Sequence, residues 1–155
     1  MLLVRVGLLT AVLGMAPGSI VAQDASAPVR AAIERLFLGM KTSDSSMVRS
    51  VMHPEVRFLS VSESGGVARL QAAQAEGFIK AVGSPKAPGQ DWDERIAGLQ
   101  IAVDGPLASA WMDYAFYLGG RLSHCGVNAM HLIKTEAGWQ IIAIIDTRRQ
   151  EGCSG

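Results

Sequence analysis

The sequence predicts an α+β fold in which helices cover one curved sheet. Its last third has three neighbouring strand patterns joined by tight turns at Gly119-Gly120 and Glu136-Ala137-Gly138. Earlier in the chain, apolar residues instead recur at helical spacing, at Ala31, Ile33, Leu36, Phe37 and Met40. The order of helices, one strand, a further helix and then several strands favours α+β over alternating βαβ units. We expect the helices and the sheet to enclose a pocket.

The first 23 residues are typical of a cleaved secretory signal peptide. Arg5 is their only charge, an apolar run follows over residues 6–15, and Ala16-Pro17-Gly18-Ser19 interrupts it. The run is shorter than the roughly 20 residues that a membrane-spanning helix needs. We therefore expect a protein exported to the periplasm or secreted, with no membrane attachment after cleavage and one domain over residues 24–155.

The composition of this domain excludes some classes of partner. Removal of Arg5 leaves 13 basic residues against 14 acidic ones, a net charge of −1, and the chain has no basic run. Proteins that bind nucleic acid usually carry a concentrated positive patch. We therefore expect no nucleic-acid partner.

The first predicted helix covers residues 28–41, and Ser43 or Asp44 begins a second, which ends before Pro54. The remaining elements are a strand, a turn, a third helix, a loop and a meander of four antiparallel strands. In order they cover residues 55–61, 62–66, about 71–82, 83–90, 92–103 and 107–118, followed by the strands after the two turns named above.

Several motifs resemble those of a known superfamily. They are the His53-Pro54 step into a strand, Tyr114-Ala115-Phe116, the segment from Ser123 to Asn128, Gly138-Trp139-Gln140-Ile141, and Asp146-Thr147. With the element order, they are similar to the nuclear transport factor 2-like superfamily and to its exported bacterial subgroup labelled putative lumazine-binding. The resemblance implies a cone-shaped, curved antiparallel sheet covered by three N-terminal helices around a pocket. The superfamily includes ketosteroid isomerases, scytalone dehydratases, SnoaL-like cyclases and epoxide hydrolases, so the resemblance predicts the fold and leaves the activity open.

Turn lengths give a predicted strand register and hence a candidate site. A two-residue turn at Gly119-Gly120 places Asp113 opposite Gly126 and Trp111 opposite Asn128. A three-residue turn after Thr135 places Asn128 opposite Asp146. One sheet face then gathers the candidate ligand-binding residues, which are Trp111, Asp113, Tyr117, His124, Asn128 and Asp146. Since both predicted faces hold much apolar surface, we expect helices to cover one and a second subunit of a homodimer to cover the other.

The function predicted from this site is binding of a small, largely apolar molecule with a few polar contacts. One alternative is a cofactor-independent isomerase, dehydratase or cyclase of the SnoaL type. Asp113 or Asp146 would then be the general base, His124 its partner or the acid, and Asn128 and Tyr117 would stabilise an oxyanion. A further alternative is a non-catalytic module that binds a partner protein. No cofactor is expected, and the three histidines lack the spacing of a zinc site.

Cys125 and Cys153 are the only cysteines. In an oxidising compartment they could form a disulfide that holds the C-terminal tail against the sheet. The alternative is a buried thiol at Cys125 and a free thiol at Cys153.

Overall fold

The structure, a computed structural model, describes residues 24–153; the expected signal peptide over residues 1–23 lies outside this range. The prediction of an α+β fold is confirmed. The elements in chain order are α1 (Ala27–Lys41), α2 (Ser45–Ser50), β1 (Met52–Ser64), β2 (Val67–Ala73), α3 (Ala75–Gly83), β3 (Trp92–Asp104), β4 (Leu107–Leu118), β5 (Arg121–Thr135) and β6 (Gly138–Thr147).

The six strands form one sheet in the order β2-β1-β6-β5-β4-β3. Strands β3 to β6 form the predicted antiparallel meander. The expectation that the whole sheet is antiparallel is wrong, because β1 runs parallel to β6. The connection between them includes β2, α3 and the meander, which is long enough for the crossover that parallel strands require.

Strand β2 was not predicted from the sequence, which favoured a turn and the start of the third helix in this segment. Every residue of β2 is exposed, and it lies at the edge of the sheet. A strand without a buried face lacks the alternation of apolar and polar residues by which strands are recognised. Helix α3 accordingly begins later than expected, at Ala75.

The helices are placed by their caps and apolar faces. Asp44 caps α2, because its carboxylate accepts a hydrogen bond from the backbone N–H of Met47 at 2.9 Å. In α1, Ile33 and Leu36 are fully buried against the inner face of the sheet, where Met112 of β4 is among their partners in the core. Within the described residues, no helix is long and apolar enough to cross a membrane.

The observed register differs from the predicted one between β4 and β5. The two-residue turn pairs Leu118 with Arg121 as expected, but Ser123 is an extra residue of β5, since Phe116 pairs with His124 and Tyr117 with Leu122. Beyond this bulge every partner shifts by one position and changes face.

As a result, Asp113 lies opposite Val127 rather than Gly126, and Trp111 lies opposite Ala129. Met112 instead faces Asn128. These corrections place Trp111 and Asp113 on the outer face of the sheet.

The predicted pairing of Asn128 with Asp146 is confirmed, although for a different reason. The turn holds two residues rather than three, because Thr135 pairs with Gly138, and a bulge at Ile142 restores the same register. Two departures from the expectation therefore cancel before the strands reach Asp146.

The C-terminal tail is fixed to β5 next to these residues. Cys125 and Cys153 are joined by a disulfide, with their Cα atoms 5.7 Å apart. The backbones of Cys125 and Arg149 also exchange two hydrogen bonds of 2.9 Å. The tail therefore continues the antiparallel pairing of β6 with β5 beyond Thr147.

Candidate functional site

A cavity of about 180 Å³ lies between the helices and the inner face of the sheet. Most of its wall is apolar, and its polar groups are gathered where β3, β4, β5 and the end of β6 meet. The lining residues are Leu36, Phe37, Met40, Phe58, Leu59, Ser60, Ala73, Phe78, Glu94, Tyr114, His124, Asn128, Met130, Ile144, Asp146 and Arg148. Ligand sites commonly measure ~300–1,000 Å³, so this cavity is smaller than the usual range and would admit only a small molecule.

Glu94 and Asn128 form the innermost polar contact. Asn128 is only 4% exposed, and its Nδ2 donates a hydrogen bond of 2.8 Å to Glu94 Oε1. Glu94 extends from β3 across β4 to reach it. A buried amide and carboxyl that satisfy one another in this way fix each other's orientation.

The environment of Glu94 favours its protonated form. The residue is partly exposed because it borders the cavity, but protein atoms surround its carboxyl group. Burial raises the pKa of Glu94 to about 7, and the negative charge of Asp146 acts in the same direction. The hydrogen bond from Asn128 and the positive charge of Arg148 oppose this shift in pKa. The carboxyl group can therefore gain or lose a proton near neutral pH.

Tyr114, Asp146 and Arg148 form the outer part of the polar end. The Tyr114 hydroxyl donates to the backbone oxygen of Thr147 at 2.9 Å and lies 3.3 Å from Asp146 Oδ2. Arg148 forms an ion pair of 3.2 Å with the same carboxylate oxygen. Burial and the negative charge of Asp146 raise the pKa of Tyr114, so its hydroxyl stays neutral.

Gly126 allows this arrangement, because a side chain there would collide with the backbone of Thr147 and with the Tyr114 ring.

His124 lies beside this group on the same face. Its ring packs edge-on against Tyr114, with the ring centroids 5.8 Å apart, and is tilted against the Phe116 ring at a centroid distance of 5.0 Å. Its Nδ1 lies 3.1 Å from the hydroxyl of Ser123. Burial lowers the pKa of His124, the positive charge of Arg148 lowers it further, and Asp146 acts against both. The imidazole is therefore neutral at neutral pH.

The structure brings together three of the six candidate residues from the sequence, His124, Asn128 and Asp146. The expectation that Trp111, Asp113 and Tyr117 lie on the same face as those three residues is wrong. Trp111 is 54% exposed on the outer face.

Asp113 and Tyr117 border an outer groove, where Arg95 lies 4.0 Å from the centre of the Tyr117 ring. The suggested group of Asp113, His124 and Asp146 therefore does not form around one cavity. The bulge at Ser123 is the physical reason.

Four polar residues of the cavity were missed from the sequence, namely Ser60, Glu94, Tyr114 and Arg148. Glu94 alternates with Asp93 and Arg95, which form an ion pair of 2.9 Å with each other. The inward position of Glu94 follows from strand periodicity, because Trp92 and Ile96, two residues away on either side, lie on the same face and pack against the core. Arg148 lies just after the last strand, where its backbone N–H donates to the carbonyl oxygen of Val61 in β1, a pairing that the local sequence does not indicate.

This polar end can bind and orient a ligand and can exchange a proton with it. Within residues 24–153, no group of three or more histidine, cysteine, aspartate or glutamate side chains is arranged to hold a metal ion. The side chains at this end offer a titratable carboxyl, an amide, a neutral imidazole, a phenol and the ion pair of Asp146 with Arg148.

Comparisons with known proteins agree with this fold. The model of a family described as "Putative lumazine-binding" matches residues 24–145. No curated protein matches the chain.

Solved structures with the same fold include an NTF2-like protein from Cytophaga hutchinsonii, at 14% identity and a TM-score of 0.63 over 82% of this chain and 100% of that one. An NTF2-like protein of unknown function from Shewanella baltica is similar at 18% identity and a TM-score of 0.60, over 80% of this chain and 93% of that one. One from Novosphingobium aromaticivorans, with a cystatin-like fold, has 13% identity and a TM-score of 0.62 over 82% of each chain.

Proposed function

The chain belongs to the family described as putative lumazine-binding, within the nuclear transport factor 2-like superfamily, and from this membership we propose that it binds a small, largely apolar molecule in its inner cavity. The observation that carries the proposal is the composition of the cavity wall. Phe37, Phe58, Met130 and Ile144 provide apolar contact, while Glu94 and its neighbours provide hydrogen bonds at one end. A mainly apolar pocket with a few convergent polar groups is typical of ligand sites.

A pair of variants on strand β2 tests this proposal. Ala73 borders the cavity and is exposed, so Ala73→Trp should obstruct the cavity without disturbing the core. Ala72 is also exposed and points to the opposite side of the strand, which makes Ala72→Trp a matched control. The probes are lumazine, which the family description names, and coumarin, a neutral bicyclic molecule.

Binding is measured by NMR on isotopically labelled protein. We expect saturable shifts at Met130 and Ile144 in the wild type and in Ala72→Trp, and their loss in Ala73→Trp. Shifts that persist in Ala73→Trp, or that concentrate on the outer face, would contradict binding in the cavity.

A second candidate function is acid–base catalysis without a cofactor, in an isomerase, dehydratase or cyclase. The observation that favours it is the carboxyl group of Glu94, whose raised pKa of about 7 suits proton transfer at neutral pH. Glu94 takes the place of Asp113, which the sequence suggested as base. Proton exchange next to the carbonyl of cyclohexanone in D₂O, followed by NMR, is the test. An exchange rate that is the same in the wild type and in Glu94→Gln would rule against this candidate.

Export and dimerisation complete the proposed function. The leader pattern of residues 1–23 supports export, and the exposed side chains of Trp111 and Leu107 on the outer sheet face support a homodimer through that face. N-terminal sequencing of the protein recovered from the medium or periplasm tests export, and light scattering at increasing concentration tests the dimer. A monomer at all concentrations would exclude it. The outer face would then be available to bind a different protein, as expected for the non-catalytic partner-binding module considered from the sequence.

A further inference from the structure

Two neighbouring oxygen atoms on Asn128 and Glu94 have no hydrogen-bond partner among residues 24–153. Asn128 Nδ2 donates its hydrogen bond to Glu94 Oε1. The other two oxygens, Asn128 Oδ1 and Glu94 Oε2, form no hydrogen bond with the described residues. No buried side-chain nitrogen or oxygen is unpaired in that part of the chain, so both atoms reach the accessible space of the cavity. Asn128 itself is 96% buried, being 4% exposed.

The chemistry of this pair depends on one proton. When Glu94 is protonated on Oε2, the pair presents a donor (Oε2–H) beside an acceptor (Asn128 Oδ1). If the proton instead lies between the two side chains and the amide is reversed, the pair presents the amide N–H₂ beside a carboxyl oxygen, again one donor and one acceptor. When Glu94 is ionised, the pair presents two acceptors and a negative charge.

The protonated arrangement is the one that a neutral ligand would meet. A ligand that displaces water from the cavity removes solvation from the carboxylate and so favours its neutral form. The apolar walls formed by Phe58, Met130 and Ile144 likewise suit an uncharged molecule.

We propose that Glu94 and Asn128 form a specificity-determining pair that recognises a lactam edge, a ring carbonyl next to a ring N–H, on a small uncharged ligand. This inference rests on the proposed function and adds the class of ligand. The ligand carbonyl accepts from the donor of the pair, while its N–H donates to the acceptor. A ligand without the N–H leaves a buried acceptor unpaired, which costs more than a hydrogen bond between exposed groups.

Other titratable or charged groups face Glu94 and contribute to its protonation. Asp146 and Arg148 act on it from β6 and the tail with opposite signs. Tyr114 from β4 and His124 from β5 border the same space, both in neutral form at pH 7. The recognition step is therefore expected to weaken as pH rises, because Glu94 loses the proton that the ligand carbonyl needs.

Three matched compounds test the pair. 2-Quinolone carries the lactam edge, coumarin has the same two-ring shape with an oxygen in place of the N–H, and 1-methyl-2-quinolone blocks the N–H. None of the three changes charge between pH 5 and 8. Affinities are measured by calorimetry on protein expressed from the full chain, and NMR shifts at Met130 and Ile144 show that binding is in the cavity.

At pH 6 we expect 2-quinolone to bind about tenfold or more tightly than either analogue. Above the pKa of Glu94, the affinity of all three compounds should fall by about tenfold per pH unit, because their shared carbonyl loses its donor, while the preference set by Asn128 Oδ1 persists. Glu94→Gln supplies a permanent N–H donor and should keep the preference while removing the pH dependence of the affinities. Asn128→Leu should abolish the preference, and Asp113→Asn on the outer face should behave as the wild type.

The outcomes separate the two proposals. Equal affinity for 2-quinolone and coumarin, with shifts in the cavity, would overturn the lactam inference and leave the binding function intact. A preference that survives in Asn128→Leu would also overturn it. Absence of cavity shifts with all three compounds would overturn both the inference and the binding function.

Discussion

The raised pKa of Glu94 predicts a specific dependence of stability on pH. The ordinary pKa of a glutamate is 4.5, and burial raises that of Glu94 to about 7 in the folded protein. Between these values the folded state binds more protons than the unfolded state, so the free energy of unfolding falls as pH rises. The stabilisation is fully present below pH 4.5 and is lost as pH rises through 7. Between pH 5 and 8 the loss amounts to about 2 to 3 kcal/mol.

Glu94→Gln tests this reasoning, because glutamine keeps the hydrogen bond to Asn128 and cannot ionise. Unfolding in urea, with the disulfide intact, is measured for both proteins at pH 5, 6, 7 and 8. The stability of Glu94→Gln relative to the wild type should rise by about 2 to 3 kcal/mol over this range. Glu136→Gln, in an exposed turn, controls for the loss of one negative charge. A constant difference between Glu94→Gln and the wild type at all four pH values would refute the assigned environment of Glu94.

Three further predictions concern stability. Cys153→Ser removes the disulfide to Cys125, 28 residues away in the chain, and should lower the free energy of unfolding in urea by about 3 to 4 kcal/mol. An equal unfolding midpoint with and without reductant in the wild type would contradict this. Gly126→Ala should lower the free energy of unfolding by about 1 to 3 kcal/mol, because its Cβ would collide with the backbone at the end of β6. An unchanged thermal midpoint would show that Gly126 does not lie so close to that backbone. Met112→Ala, at a fully buried site, should lower the free energy of unfolding by about 2 to 5 kcal/mol, whereas Trp111→Ala, at the exposed neighbour, should lower it much less. Similar losses of stability in the two variants would contradict the assigned faces.

Local pattern was sufficient for most of the elements. The helical spacing of Ile33, Leu36 and their neighbours predicted α1, since only one face of that helix is buried. The bounds of β4 were predicted to the residue, because turns that strongly prefer glycine flank it. Strand β2 could not be predicted in this way, because it is an edge strand without a buried face.

The candidate site could be predicted only in part. Asn128 and Asp146 were paired correctly because the turn is one residue shorter than predicted and a bulge at Ile142 restores the register. Trp111 and Asp113 were placed on the wrong face, because a single extra residue at Ser123 reverses the register of everything beyond it. Nothing in the local sequence indicates that bulge.

The sequence by itself determined the fold class, the superfamily and the set of polar residues available on the meander, because these depend on short-range periodicity and turn chemistry. Tertiary structure decided which of those residues meet. Glu94 reaches Asn128 only because β3 and β5 flank the same strand, and Tyr114 of β4 reaches Asp146 of β6 only because both strands flank β5. The protonation of Glu94 was likewise decided by the fold, since it depends on burial and on charges far away in the chain.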